Sequence, residues 1–348
     1  MLNNKSDLNK KCLVSVIIPC RNEIDHIEEA LHSIYKNDYP SNLIEVIIVD
    51  GMSNDGTREL FPQIKNKYQQ ITIIDNYQQR TPFAFNLGIK KAKGDIVMIC
   101  GARFLLSENY IGEVVNVLMN NNEIGCVGGK IINVYENATS EVISKAMASK
   151  FGVGFNNFRT LNKDVYVDTV TPPSFRKSIF KELGYFDEYL TRNQDDDFSF
   201  RLIKAGYKIL LKSNISFKYY VRASFKKLFR QYRQYGYWKV YVNKKHKTVT
   251  TLRQLFPLFF LLSFPLFLLL ISLNNKFMYV FLLEILSYLL LNFIFAYKMN
   301  KFNISQIIKQ MYTCSLLHIS YGFGYFEGIV DFLILNKNPK EKNETLSR

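Results

Sequence analysis

The chain has 348 residues with five widely spread cysteines and no C-x-x-C pair, which excludes a small disulfide scaffold, and with only four histidines it holds no zinc-cluster pattern. Hydrophobic residues make up 48% and charged residues 22%, which excludes a disordered or low-complexity chain, and the length allows two structural units. A net charge of +15 suits nucleic acid, an anionic membrane surface or a phosphorylated substrate, so the placement of the charge has to decide between them.

In chain order, residues 1–12 are a polar tail, and the apolar segment that follows, Leu13–Ile18, is too short for a signal peptide. β-Branched runs at Val14–Ile18, Ile44–Val49, Ile71–Ile74 and Ile96–Ile99 predict four strands. Between the first two, Ile24, Ile27, Leu31, Ile34 and Tyr35 recur at helical spacing, and Asn22 with Asp25 three residues later predicts an N-cap. Phe83, Leu87 and Ala92 predict another helix, ended at Gly94. This alternation predicts an α/β domain over residues 13–221, Rossmann-like with a mainly parallel sheet, whose ligand sits at the carboxyl ends of the strands.

From Arg222 to Arg253 there are ten Lys/Arg and no Asp or Glu, so residues 222–254 read as a basic amphipathic segment beside a membrane. The charge-free run Leu255–Leu273 is close to the roughly 20 residues needed to cross the hydrocarbon core, and Phe277–Met299, with Glu284 inside and Lys298 at its end as its charges, is long enough to return. A third stretch, Tyr312–Leu335, carries His318, Glu327 and Asp331 among aromatics and glycines, and is equally consistent with spanning or lying in the interface. Residues 255–335 thus predict two to three transmembrane or interfacial helices, and 336–348 a polar tail. Basic residues before the first span predict a multi-pass cell-membrane protein with its α/β domain in the cytoplasm. Their place beside a span, rather than on a recognition element, argues against nucleic acid.

The chemistry-bearing residues follow the strands: Pro19-Cys20-Arg21-Asn22-Glu23, then Asp50-Gly51-Met52-Ser53-Asn54-Asp55-Gly56-Thr57, then Cys100-Gly101-Ala102-Arg103. Neither a dinucleotide fingerprint nor a P-loop is among them. A carboxylate at a strand end accepts hydrogen bonds from a nucleobase or ribose; an Asp in a turn rich in Ser, Asn and Gly also serves simply as a turn residue, and both readings of Asp50 stand.

Taken in order, VSVIIPCRNE, VIIVDGMSNDGTRE, AFNLGIKKAKGDIVMI, the long segment through NQDDDFSFRLIKAGYKI and RQYRQYGYW resemble the family 2 glycosyltransferases with the GT-A fold. Most similar are the membrane-anchored bacterial enzymes that build exopolysaccharides such as succinoglycan. The resemblance implies inverting transfer of a sugar from a nucleoside diphosphate donor, a UDP-sugar above all, to a hydroxyl of a glycan or polyprenyl-linked acceptor. It maps Pro19, Arg21, Asn22 and Glu23 onto the first nucleotide-binding segment, Asp50 with Gly51 onto the carboxylate turn that recognises base or ribose, and Asp195 onto the general base. Asp196, Gln231 and Arg233 fall on the acceptor or diphosphate side; at the Q-x-x-R-W motif the match is partial, because Gln234 and Tyr235 stand where Arg and Trp are usual.

An acceptor hydroxyl is a poor nucleophile near pH 7, so a carboxylate must take its proton as the new bond forms. Asp195 to Asp197 also complement the positive end of a helix through Phe198, Leu202 and Ala205, and three adjacent carboxylates on one turn point in different directions. The family compensates the leaving diphosphate with Mg2+ or Mn2+ held by a D-x-D pair; here those positions carry Gly101 and Arg103, which puts the cofactor in question. Arg103 can grip phosphate in the metal's stead. The same departure supports the alternative of a catalytically silent homologue acting as a membrane-bound partner in the assembly machinery. The loops around Val170–Ser174 and Phe151–Phe158 are the expected acceptor side.

Overall fold

The computed structural model describes residues 12–135, 137–154, 161–221, 223–250 and 252–339, so most of the two polar tails, Arg222 and residues 155–158 of the expected acceptor loop lie outside the described residues. The described chain forms two compact units. The first comprises residues 12–133, 161–188 and 194–220; the second comprises 134–154, 189–193 and 221–339.

The first unit opens with β1 (Val14–Cys20), α1 (Ile27–Tyr35), β2 (Ile44–Asp50), α2 (Phe61–Lys67), β3 (Ile71–Asp75), α3 (Thr81–Lys91) and β4 (Ile96–Ile99). It continues through β5 (Phe104–Leu106), α4 (Tyr110–Asn120) and β6 (Ile124–Val134), after which α5 (Ala138–Met147) and α6 (Lys150–Val153) belong to the second unit. The segments β7 (Val165–Tyr166), β8 (Ser174–Arg176), α7 (Ser178–Leu183), α8 (Gln194–Lys204) and β9 (Lys208–Tyr220) complete it.

All nine strands join one sheet in the order β3-β2-β1-β4-β8-β6-β9-β5, with β7 beside β9. The four strands expected from the sequence pair in parallel, and every residue of β1, β2 and β4 except Pro19 is buried, as a sheet covered on both faces requires. Beyond β4 the pairs β4/β8, β8/β6, β5/β9 and β7/β9 are antiparallel, so the sheet is mixed. Helices α1 and α4 cover one face with Ile27, Leu31, Ile34, Ile111, Val114 and Leu118; on the other, Ile17, Ile47, Val97 and Ile99 meet Phe175, Phe180 and Phe198. Each such side chain contributes roughly 1.5–3 kcal/mol of burial.

Helix α1 begins later than its sequence signature predicts. Its N-cap position is His26, with no capping side chain, while Asn22 sits in the left-handed region at φ 57°. Asn22 is committed elsewhere, to the neighbouring strand-end loop described below.

In the second unit the basic segment becomes α9 (Phe225–His246), followed by α10 (Phe256–Leu273), α11 (Phe277–Asn300) and α12 (Ile304–Gly328), which runs on as a π-helical stretch, Ile329–Ile334. Two helices, Leu252–Leu273 and Phe277–Asn300, are long and apolar enough to cross a membrane, and their apolar side chains are largely exposed. Helix α12 is not of that kind: Gln310, Thr313 and Ser320 are buried in it, and a stripe of Ile304, Ile308, Ile319, Phe323 and Phe326 is exposed along it.

Helix α9, which takes up most of the basic segment, is packed along its middle. Its middle, from Tyr237 to Val240 with Lys239 included, is buried, and α12 packs against it so closely that only glycine fits. A Cβ on Gly324 would lie 1.9 Å from Arg233 O, and one on Gly236 would lie 2.1 Å from Tyr321 O. The Arg233 guanidinium forks onto Glu327, Nη2 to Oε1 at 2.6 Å and Nε to Oε2 at 2.9 Å, and Tyr237 donates to Asp331 at 2.9 Å. The exposed cations of α9 are left at its two ends, Lys226, Lys227 and Arg230 at one and Lys244 and Lys245 at the other.

Candidate active site

The carboxyl ends of β1, β2 and β3 lie in one register, Cys20 beside Asp50 and Asp50 beside Asp75. The two loops that leave β1 and β2 are laced by side chains: Asn22 N donates to Ser53 Oγ, Glu23 N to Thr57 Oγ1, and Asn22 Nδ2 to Asn54 Oδ1, while Asn54 N returns to Asn22 Oδ1. Short hydroxyl and amide side chains are what such exchanges need. This is why the D-G-M-S-N-D-G-T run is polar without being catalytic at every position. Asp55 also accepts from Ile24 N and from Thr57; although burial raises its carboxyl, these hydrogen bonds outweigh that and hold it below its ordinary range.

Asp50 has no exposed surface, and both its oxygens are engaged: Oδ1 accepts from Ser53 Oγ at 2.5 Å, and Oδ2 from Ser53 N at 3.1 Å and Arg58 Nη1 at 2.6 Å. The same Arg58 Nη1 reaches Asp75 Oδ1 at 2.9 Å, and the two carboxylates push its guanidinium further up. Thus Arg58, 36% exposed, is the group that the Asp50 position presents outward; the carboxylate itself is not. Arg58 and Asp75 were not expected from the sequence, although Asp75 ends β3 just as Asp50 ends β2, and that parallel was there to be read. The buried Asn76, next along, has an Oδ1 without a partner among the described residues.

The turn after β4 places Arg103 against Glu23, Nε to Oε2 at 2.7 Å. Gly51 is buried beneath the Arg21 side chain, which lies 3.3 Å from where its Cβ would be. The structure therefore brings Arg21, Glu23, Asp50, Gly51 and Arg103 to one end of the parallel strands, with Pro19 half-buried in β1. At the same turn Cys100 is fully buried and burial pushes its thiol up to about 12, so it is no nucleophile near neutrality.

Helix α8 separates its three carboxylates. Asp197 turns inward, fully buried, and pairs with Arg201 at 3.1 Å, whose guanidinium also donates to Leu183 O and Tyr185 O. Asp196 is half-buried, and Asp195 is exposed. Asn193, at φ 62°, precedes the helix and donates through Nδ2 to Tyr235 O within the second unit. Gln231 and Arg233 belong to that unit too: Gln231 donates to Tyr235 OH at 2.9 Å, and Arg233 is spent on Glu327. In this structure Arg233 serves the α9/α12 crossing.

The chain matches the glycosyl transferase family 2 model over residues 15–184 and the glycosyl transferase family group 2 model over residues 104–299. It belongs to the family 2 glycosyltransferases. The glycosyltransferase is 31% identical over 230 residues, 64% of this chain and 71% of the relative, to a dolichyl N-acetyl-alpha-D-glucosaminyl phosphate 3-beta-D-2,3-diacetamido-2,3-dideoxy-beta-D-glucuronosyltransferase of Methanococcus voltae. It is 28% identical over 249 residues, 70% of this chain and 74% of the relative, to the succinoglycan biosynthesis protein ExoA of Rhizobium meliloti. Its fold is similar to that of the mannosyltransferase PcManGT from Pyrobaculum calidifontis, solved with GDP-Man and Mn2+, at a TM-score of 0.50 and 20% identity over 65% of this chain and 62% of that one. The first unit of the glycosyltransferase has the GT-A fold, with the mixed sheet that such neighbours share.

The residues offer poor ligands to the divalent cation with which that neighbour was solved. Neither Gly101 nor Arg103 supplies a side-chain oxygen, and among the described residues no three His, Cys, Asp or Glu side chains gather as a metal site.

Proposed function

We propose that this glycosyltransferase moves a sugar, with inversion, from a UDP-sugar to a hydroxyl of a glycan or polyprenyl-linked acceptor, at the cytoplasmic face of the cell membrane during exopolysaccharide, capsule or lipid-linked glycan assembly. The observation that carries the reading is α8: of its three carboxylates only Asp195 stands exposed, while Asp197 is consumed by Arg201. In the reaction the acceptor oxygen attacks the anomeric carbon, its proton passes to an Asp195 oxygen, and the bond to the diphosphate breaks with the electron pair leaving on the diphosphate. Arg21, Glu23 and Arg103 at the strand ends form the donor side. Asp50 acts there through Arg58, which its buried carboxylate orients, so the base or ribose meets a guanidinium donor rather than a carboxylate acceptor.

The membrane reading is supported by α10 and α11, whose apolar side chains face outward, and by the cations at both ends of α9, which favour the cytoplasmic side. The exposed stripe of α12 suits the lipid interface. The Methanococcus voltae relative, named for a dolichyl phosphate-linked substrate, and the Rhizobium meliloti relative, named for succinoglycan biosynthesis, agree with a glycan or lipid-linked acceptor. Transfer from a panel of UDP- and GDP-sugars to polyprenyl-phosphate-linked acceptors by the purified full chain tests the reading. Donor binding without transfer under every condition would favour the silent membrane-bound partner, a reading that Gly101 and Arg103 keep in view.

A further inference from the structure

Glycosyl transfer at this site leaves one electrostatic question open. A departing diphosphate carries at least two negative charges, and the strand-four turn that should neutralise them has no carboxylate with which to hold a cation. The chain from Cys100 to Arg103 closes as a tight turn, with Phe104 N donating to Gly101 O at 3.0 Å. A side chain at position 101 would start 3.1 Å from two carbons of the Phe104 ring, so the space where a first metal ligand would begin faces an apolar ring. Position 103, where the second would stand, carries a cationic guanidinium instead of a carboxylate.

That charge is held in a particular way. Arg103 is 25% exposed and uses Nε, one edge of its planar group, to donate to Glu23 Oε2; the Glu23 side chain is 9% exposed, and its backbone is pinned through Thr57 Oγ1. The remaining edge, with the two terminal nitrogens, has the spacing that matches two oxygens of a phosphate. An arginine gripped by one edge loses little further freedom when the other edge binds, whereas a free surface arginine would lose most of its rotamers.

We infer that Arg103, positioned by Glu23, takes the place of the divalent cation, so that the donor diphosphate is bound by a guanidinium fork and needs no metal. This rests on the reading of the chain as a nucleotide-sugar transferase, and it goes further by making the diphosphate subsite metal-free. Glu23 is a positioning residue in this account, since it reaches the phosphate only through Arg103.

The test is calorimetric titration of the full chain in detergent with UDP, GDP and uridine, each in excess EDTA and in MnCl2. UDP or GDP is expected to bind in EDTA with an affinity within about threefold of that in Mn2+. Arg103→Ala is expected to weaken diphosphate binding at least tenfold and to leave uridine binding unchanged. Arg103→Lys, which keeps the charge and a partner for Glu23 but not the fork, should fall between them, and serves if the alanine variant does not fold. Glu23→Gln should weaken the diphosphate less than Arg103→Ala, again with uridine unmoved. Loss of wild-type UDP and GDP binding in EDTA, with recovery in Mn2+, would overturn the metal-free subsite while leaving the transferase reading intact. Equal diphosphate affinity in wild type and Arg103→Ala would do the same. No binding of any nucleotide under either condition would overturn the inference together with the reading beneath it.

Discussion

Three neighbouring aspartates in one helical turn have three different environments, and the proposed proton acceptor is the most exposed of them. Asp197 is buried and paired with Arg201, Asp196 is half-buried, and Asp195 is exposed. Replacing Asp195 by Asn keeps shape and hydrogen bonding but removes the proton acceptor, so turnover is expected to drop by roughly 10²-fold or more, with donor affinity little changed. Steady-state transfer assays beside nucleotide titration check this. Normal turnover in Asp195→Asn, with an inactive Asp196→Asn, would shift the role by one residue. Asp50 shows the converse situation: its carboxylate is wholly occupied by Ser53 and Arg58, so Asp50→Asn should leave Arg58 less firmly held. A net loss of about 1–3 kcal/mol is expected from breaking a charged, buried hydrogen bond, readable in a denaturation midpoint.

Among the elements, the α9/α12 crossing is the most exacting. Gly236 and Gly324 sit where a single methyl group would overlap main-chain oxygens at 2.1 and 1.9 Å, which no rotamer change relieves. Gly324→Ala should therefore force the helices apart and cost about 1–3 kcal/mol or more, seen as a fall in thermal midpoint in detergent. An unchanged midpoint would mean that the two helices do not pack in this way. On the sheet side, Asp164 ties Lys212 and Ser213: burial raises its carboxyl, but the Lys212 and Ser213 hydrogen bonds with the Lys212 charge win and hold it at about 2. A carboxyl lowered on folding stabilises fully above its unfolded value, near 3.9, and loses that contribution as pH falls toward 2. The midpoint difference between wild type and Asp164→Asn should accordingly be present at pH 7 and shrink by pH 3. A difference that persists unchanged at pH 3 would show that the ion pair is not its source.

For the whole molecule, two exposed apolar helices joined by a short polar turn predict a hairpin whose two ends emerge on the same side of the bilayer. All five native cysteines are buried, so a single introduced cysteine reports on its own location. Asn275→Cys, in the turn, should react with a membrane-impermeant maleimide added outside intact cells, and Lys247→Cys only after the membrane is opened. Labelling in the opposite order would invert the topology and move the catalytic unit out of the cytoplasm.

The amino-acid sequence by itself determined the strands β1 to β4, the helix α8 and the two apolar helices, because periodicity and hydropathy are local properties that the chain carries wherever it goes. It also carried the family, since VSVIIPCRNE and VIIVDGMSNDGTRE keep the spacing that the laced strand-end loops require. What it left undecided depends on partners distant along the chain. Asn22 reads locally as a helix cap, yet Ser53 and Asn54 claim it from some thirty residues away. The sequence alone did not show that Asp50 is held by Arg58, which also reaches Asp75, or that Arg233, expected on the acceptor or diphosphate side, pairs with Glu327 of α12. The glycines of α12 had no assigned role in the sequence, and Gly324 and Gly328 are where α9 packs closest. In each case the side chain's own chemistry was legible, but which of its competing partners it would take was settled only when tertiary packing brought one of them within hydrogen-bond reach.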